Sequence, residues 1–259
     1  MKYQISFINI FLCTSVELYL QVRKIYLILL AKEMIYMDFW QRHRIMFDES
    51  EFRKINQMVV FIAGAGGLGT HQVTELQRIG VKKIYLADYD RVDPTNLNRQ
   101  ILYGANDIER FKVKRAKEVL ESFQLGTEIV ALQKRITADT TIPDDVDLVF
   151  DALDNLEGRL ELEKAAAQKG LPFIHGGVSS WYGQLTTIIP GKTKGLRDIF
   201  GQFKPPRGTI PAFSPLVSIV ASLQVIEGVK VLLGYQDILV NKLLLIDSRN
   251  YSLEIIKLG

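Results

Sequence analysis

Residues 58–69 read Met58-Val59-Val60-Phe61-Ile62-Ala63-Gly64-Ala65-Gly66-Gly67-Leu68-Gly69. The first six form an uninterrupted apolar, largely β-branched run, the pattern of a strand buried on both faces of a parallel sheet. The glycines end that strand. Glycines at 64, 66 and 69 let backbone approach a phosphate, and a helix starting behind them offers unpaired N–H groups and the positive end of its dipole. A glycine turn alone is a weak signal, because a tight strand-to-helix turn needs no ligand.

The residues after the turn give it meaning. Thr70 to Ile79 carries Val73, Leu76 and Ile79 at helical spacing, Gly80 stops the helix, and Ile84 to Ala87 is the next strand. That strand leads into Asp88, 19 residues after Gly69, which completes a βαβ unit with an acid placed for ribose hydroxyls. The plainer role for Asp88 is a cap or turn residue. Next comes Asn96-Leu97-Asn98-Arg99-Gln100, a polar cluster that a dehydrogenase does not need. Arg99 and Lys112 are cations placed to reach a triphosphate and stabilise charge on the α-phosphate and the leaving pyrophosphate. Taken singly, each is an ordinary solvated charge. Asp154 is placed to hold magnesium, with phosphates completing the oxygen shell, although a lone Asp there also serves as a cap. Together the set has what nucleotidyl transfer requires.

The remaining pattern is α/β throughout. Lys112 to Phe123 is an amphipathic helix, Glu128 to Leu132 and Val146 to Phe150 are strands, and Asp151-Ala152-Leu153-Asp154-Asn155 opens a loop at the carboxyl edge of the sheet. Leu156 to Lys169 is helical, Pro172 to His175 a strand, and Gln184 to Ile189 a half-exposed strand. Gly191 to Pro211 has no sustained period and reads as a loop, with Lys192, Lys194, Arg197, Lys204 and Arg207 giving it positive charge. Ser214 as N-cap before Pro215 starts a helix that ends at Gly234, and Lys242 to Ile246 and Ser252 to Ile256 close the sheet. The expected fold is a Rossmann-like three-layer α/β architecture, a mostly parallel sheet continued by antiparallel strands.

Bulk numbers narrow the class. With 47% hydrophobic and 24% charged residues in 259, the chain suits one large globular domain. A net charge of +3 gives no electrostatic reason to expect a nucleic-acid partner. Cys13 is the only cysteine, which excludes an intrachain disulfide and fits a reducing cytoplasm. Residues 1–36 contain two apolar stretches, Ile5 to Val16 and Ile25 to Ala31, each shorter than the roughly 20 residues a bilayer span needs. Three readings stay open for this extension: translation starting at Met34 or Met37, an extra element packed on the domain or a partner, and targeting or membrane contact. Residues 37–259 form the expected nucleotide-binding domain.

From about Arg42 to Gly234 the chain resembles the ubiquitin-activating-enzyme-like adenylyltransferases of the MoeB/ThiF/HesA family. The matching pieces are GAGGLG (64–69), DYDRVDPTNLNRQ (88–100), FKVKRA (111–116), DALDN (151–155) and IHGGVSSWYGQ (174–184). The resemblance implies a homodimer and attack of a substrate carboxylate on the α-phosphate of ATP. It implies that Gly64, Gly66, Gly67, Gly69, Asp88, Asp90, Asn96 and Gln100 bind the nucleotide. Arg99, Lys112 and Asp154 would be catalytic, Asp154 holding Mg2+, and Arg44, in a QRHRI stretch like the family's amino-terminal arginine motif, would reach across the dimer.

Two departures sharpen this. Family members commonly carry two Cys-x-x-Cys pairs for zinc, and many carry a crossover-loop cysteine for sulfur or thioester transfer. Residues 192–213, KTKGLRDIFGQFKPPRGTIPAF, contain none. The implied enzyme binds no zinc and stops at the adenylate, leaving the acyl group to a separate thiol-bearing acceptor protein. In its compactness and lack of thiols the chain is similar to the HcgE branch, which implies guanylylpyridinol, a small-molecule carboxylate of [Fe]-hydrogenase cofactor biosynthesis, as substrate. The other substrate is the carboxyl terminus of a ubiquitin-like sulfur carrier protein. Outside this class stand an NAD-dependent dehydrogenase, opposed by Arg99, Lys112 and Asp154, and a non-catalytic scaffold, opposed by retention of the whole phosphate-binding set.

Overall fold

The computed structural model describes residues 23–24, 39–201 and 210–259. The expectations for most of residues 1–36, and for Lys204 and Arg207, lie outside the described residues. The chain divides into two units, Met1–Gln41 and Arg42–Gly259, and the second carries the sheet.

Helices α1 (Gln41–Met46) and α2 (Glu49–Gln57) precede β1 (Val59–Ala63). Then come α3 (Gly67–Arg78), β2 (Lys83–Ala87), α4 (Lys112–Ser122), β3 (Glu128–Leu132), β4 (Leu148–Asp151), α5 (Leu156–Gln168), β5 (Phe173–Ser179) and β6 (Tyr182–Ile188). The described elements end with α6 (Leu196–Phe200), α7 (Ser214–Leu233), β7 (Lys242–Asp247) and β8 (Ser252–Lys257). The sheet has eight strands in the order β3-β2-β1-β4-β5-β6-β7-β8. β3, β2, β1, β4 and β5 are mutually parallel, and β6, β7 and β8 continue the sheet antiparallel, as expected.

The continuous apolar run of β1 has a direct cause. All five of its residues are buried, with Val60 and Ile62 facing one core and Val59, Phe61 and Ala63 the other. The first core is closed by Val73 and Leu76 of α3, Val113 and Leu120 of α4, and Leu216 and Val220 of α7. The second is closed by Leu162 and Ala166 of α5 and Leu196 of α6. Period-two alternation between two covered faces is why this parallel strand carries no polar residue. By length and composition α7 passes the test for a membrane span, yet Leu216, Val217, Val220, Ala221 and Val225 are buried, as in a core helix.

Several boundaries differ from the sequence reading. α3 begins at Gly67 rather than Thr70, so the last glycines already form its first turn. Ser214 is the first helical residue of α7 instead of its cap; Phe213 holds the cap position without a side-chain hydrogen bond. β6 is exposed only at its start, its first half lies between β5 and β7, and its second half is buried. The stretch expected as a loop contains α6, whose buried Leu196 fills the second core. α2 was not expected; its start is set by a reciprocal capping box, with Glu51 N–H donating to Asp48 Oδ1 at 2.9 Å and Asp48 N–H to Glu51 Oε2 at 3.1 Å.

Candidate functional site

Strand order reverses between β1 and β4, which makes the gap beyond their carboxyl ends the switch point where open α/β sheets bind ligands. Register fixes what meets there. Ala63 pairs with Ala87 on one side and Asp151 on the other, so Gly64, Asp88 and Ala152, the next residues, stand in one row. Ala87 and Ala63 accept the N–H groups of Gly64 and Ala152 at 2.7 and 2.9 Å.

The glycine turn is built by close approach. Gly64 has φ +103°, and a Cβ there would stand 2.4 Å from Ala152 O; one on Gly69 would stand 1.8 Å from Gly64 O. No side chain fits at either position. Asp88 accepts the Ala65 N–H on Oδ2 and the Asp90 N–H on Oδ1, both at 2.7 Å. Burial raises its pKa, while the charge of Lys112 and those N–H groups pull it down. Asp88 is thus both a turn residue and the acid beside the cradle, and each oxygen keeps a lone pair for a ribose hydroxyl. Tyr103, buried, donates to Ala65 O at 2.9 Å and braces the turn from below.

The cations take unequal positions. Lys112 was open to reading as a solvated charge; its side chain is 7% exposed and its Nζ lies 3.2 Å from Asp90 Oδ2. Asp90 therefore orients Lys112. Arg99 is half-buried, donates to Thr95 O at 3.0 Å and Asn98 Oδ1 at 2.9 Å, and passes its methylenes 3.5 Å from a Cβ position on Gly67. Gln100 is buried beside the turn, its Nε2 3.6 Å from a Cβ position on Gly66 and its Oε1 without a partner. Asn96 is committed locally, its Oδ1 accepting the Asp93 N–H at 3.2 Å.

Asp154 sits three residues beyond the end of β4, on the turn into α5, and is exposed with Asn155 Nδ2 3.3 Å from its Oδ1. Asp151, the other acid of the motif, is fully buried and committed to its neighbours: Oδ1 accepts the Leu153 N–H at 3.0 Å and Oδ2 lies 2.7 Å from His175 Nδ1. Of the two, only Asp154 keeps free carboxylate oxygens for a hard cation. Among the described residues no three His, Cys, Asp or Glu side chains gather as a metal cage. One exposed carboxylate, on the turn whose Ala152 packs against the glycine turn, fits Mg2+, which keeps waters and takes phosphate oxygens.

Arg44 is not brought to this site within one chain. Its guanidinium lies 4.3 Å from the ring centroid of Phe52 on α2. α2 is tied through Glu51 to Tyr235, 2.8 Å away and just past the end of α7, whereas the start of α7 abuts Gly67 through Val217. Arg44 therefore belongs to the sheet edge opposite the glycine turn. Arg197 and Asn155 line a cleft of about 480 Å3 beside the Asp154 turn. Trp181 and Phe213, ring centroids 4.9 Å apart and both exposed, stand at the same carboxyl edge, on the β5–β6 side. Sequence reasoning did not single out Asp151, His175, Tyr103 or Arg159; a histidine inside the apolar β5 run was the one signal of buried polar structure.

The chain matches the ThiF family model over residues 40–259. It is 34% identical over 191 residues to the sulfur carrier protein ThiS adenylyltransferase of Bacillus subtilis, covering 70% of this chain and 56% of that one. It is 32% identical to the Escherichia coli protein of the same name, covering 71% of this chain and 76% of that one. The chain thus spans little more than half of the first relative. The crystal structure of E. coli MccB with ATP superposes with a TM-score of 0.74 at 20% identity, covering 86% of this chain and 72% of that one.

Proposed function

Because this chain belongs to the ThiF family, we propose that it is an ATP-dependent adenylyltransferase that activates a carboxylate. The observation that carries the reading is the contact of the glycine turn with the Asp154 turn at the sheet's switch point, beside the buried cation Lys112. A substrate carboxylate oxygen attacks the α-phosphorus of ATP; that P–O bond forms as the bond to the β-phosphate bridging oxygen breaks, giving an acyl-adenylate and pyrophosphate. Lys112, Arg99 and the N–H groups of the glycine turn hold the phosphates, and Asp88 the ribose. When bound at Asp154, Mg2+ supplies charge neutralisation on the phosphate oxygens. Protein groups position and stabilise charge, with no covalent nucleophile. Arg44 completes the site from the second copy of a homodimer.

For the carboxylate we propose the terminus of a ubiquitin-like sulfur carrier, supported by the names of the relatives. Guanylylpyridinol is the second reading, favoured by the cysteine-free crossover region and the exposed cations Lys192, Lys194 and Arg197. In either case a separate protein supplies the thiol. ATP–pyrophosphate exchange with each substrate tests both: exchange supported by the carrier alone rejects guanylylpyridinol, and the converse rejects the carrier. Calorimetry with ATP and NAD tests the class, and NAD binding without ATP binding overturns it.

A further inference from the structure

Beneath the exposed Asp154 lies a buried polar network that the proposed reaction does not use. Asp151 and His175 are 0% and 1% exposed. The network has a definite hydrogen-bond direction. Asp151, an acceptor on both oxygens, takes the Leu153 N–H on Oδ1 and faces His175 Nδ1 at 2.7 Å on Oδ2. His175 Nε2 lies 3.2 Å from Gln184 Nε2, an amide donor. A neutral imidazole protonated on Nδ1 satisfies both contacts, donating to Asp151 and accepting from Gln184. Arg159, 3.5 Å from Asp151 Oδ2, donates to Leu153 O through Nε at 3.0 Å and Nη2 at 2.5 Å.

The peptide groups around Leu153 are thus gripped from both sides, the N–H by Asp151 and the carbonyl by Arg159. On the other flank of Asp154, Asn155 caps α5 by accepting the Gly158 N–H at 2.8 Å. Gln224 of α7 extends the anchorage, donating to Asp151 O at 2.9 Å and Ile174 O at 3.1 Å while accepting from Gln72 of α3 at 2.7 Å. An exposed carboxylate on a short turn has many rotamers and backbone states, and ordering it on demand costs free energy at each binding event. Here the turn is held before any ligand arrives.

We propose that Asp151, His175 and Arg159 are positioning residues that preset the Asp154 turn for the metal–nucleotide complex. This rests on the adenylylation reading. The role matches the general behaviour of groups behind metal ligands, whose loss weakens metal affinity about 10- to 100-fold.

Calorimetric binding of a non-hydrolysable ATP analogue, with Mg2+ and in EDTA, tests it through the ratio of the two affinities. Asp154→Ala sets the floor of that ratio. Asp151→Asn places an amide against the His175 donor, and His175→Leu removes the donor; each is expected to lower the ratio by about tenfold while leaving the EDTA affinity near wild type. His175→Asn, whose amide nitrogen replaces Nδ1, is expected to keep the ratio. Adding Asp151→Asn to Asp154→Ala is expected to change nothing further. A folded Asp151→Asn or His175→Leu chain with an unchanged ratio overturns the proposal, as does an equal loss of both affinities. If Asp151→Asn does not fold, the His175 pair decides. A wild-type chain that binds no analogue at all overturns the adenylylation reading itself.

Discussion

The backbone carbonyl of Ala152 stands 2.4 Å from the point that a Cβ on Gly64 would occupy. Two turns from opposite sides of the switch point, one made for phosphates and one bearing Asp154, therefore meet through the Gly64 and Ala152 backbone. Gly64→Ala is expected to fail twice, because φ is +103° and the new methyl meets a carbonyl that the β1–β4 register holds in place. We expect a loss of about 2–4 kcal/mol in urea unfolding, together with loss of ATP binding. Gly170→Ala, at φ +68° with open space around it, is the control and should cost about 1 kcal/mol without touching ATP affinity.

Lys112 is buried while Asp90, its partner, has a side chain 44% exposed. Replacing Lys112 with Met keeps the volume and leaves Asp90 in reach of water, so stability should change by about 1 kcal/mol or less. The rate of ATP–pyrophosphate exchange should fall by about 100-fold, since a preorganised cation over the phosphates is lost. Comparable losses of stability and rate would mean that Lys112 is a structural residue only.

Burial holds His175 below the ordinary imidazole pKa, aided by the Arg159 charge and opposed by Asp151; burial lowers His71 in the same direction. In the unfolded chain both titrate near 6.5, about the ordinary imidazole value, so below that pH the unfolded state binds protons that the folded state refuses. Stability should be full above that value and decline as pH falls toward the depressed folded pKa values, with a slope of up to about 1.4 kcal/mol per pH unit for each imidazole. Asp88 and Glu163, raised by burial, act in the opposite sense at lower pH. Unfolding midpoints of wild type and His175→Asn across pH 5–7 check this, and a variant with the same slope as wild type would assign the effect elsewhere.

Arg44 sits with Phe52, away from the glycine turn of its own chain. If it acts in trans, Arg44→Ala and Asp154→Ala chains should each be inactive and recover on mixing. Random reassortment of a two-fold dimer then restores about a quarter of the wild-type sites. No recovery after verified exchange of subunits would show that the arginine does not cross.

Trp181 and Phe213 lie on the β5–β6 side of the site, while Asp88 marks the ribose side at β2. Trp181→Ala should therefore raise KM for the acyl substrate by roughly fivefold and leave ATP affinity unchanged, because an aromatic contact of this kind contributes on the order of 1 kcal/mol. A change confined to ATP affinity would assign this aromatic pair to the nucleotide side.

Much of this architecture is legible in the chain. The apolar run at 59–63, the glycines and the acid at 88 state a βαβ unit because each rests on a local rule: two-sided burial, backbone approach, and a residue at a strand end. Less legible were Ser214, whose role as a cap lost to the first helical position, and α6, too short to show a period and held by one buried leucine.

What the sequence by itself determined is which chemical groups the site possesses and the strands they follow. Only the tertiary structure decided which of them are buried, which are committed to one another, and which face the cradle. Lys112 and Arg99 look alike in sequence, yet one is enclosed against Asp90 and the other lies across the turn. Asp151 and Asp154 belong to the same five-residue motif, yet one is locked to His175 and the other exposed. The physical reason is that burial and hydrogen-bond commitment come from partners distant along the chain, here 22 residues from Lys112 and 24 from Asp151, and no local pattern encodes such a meeting.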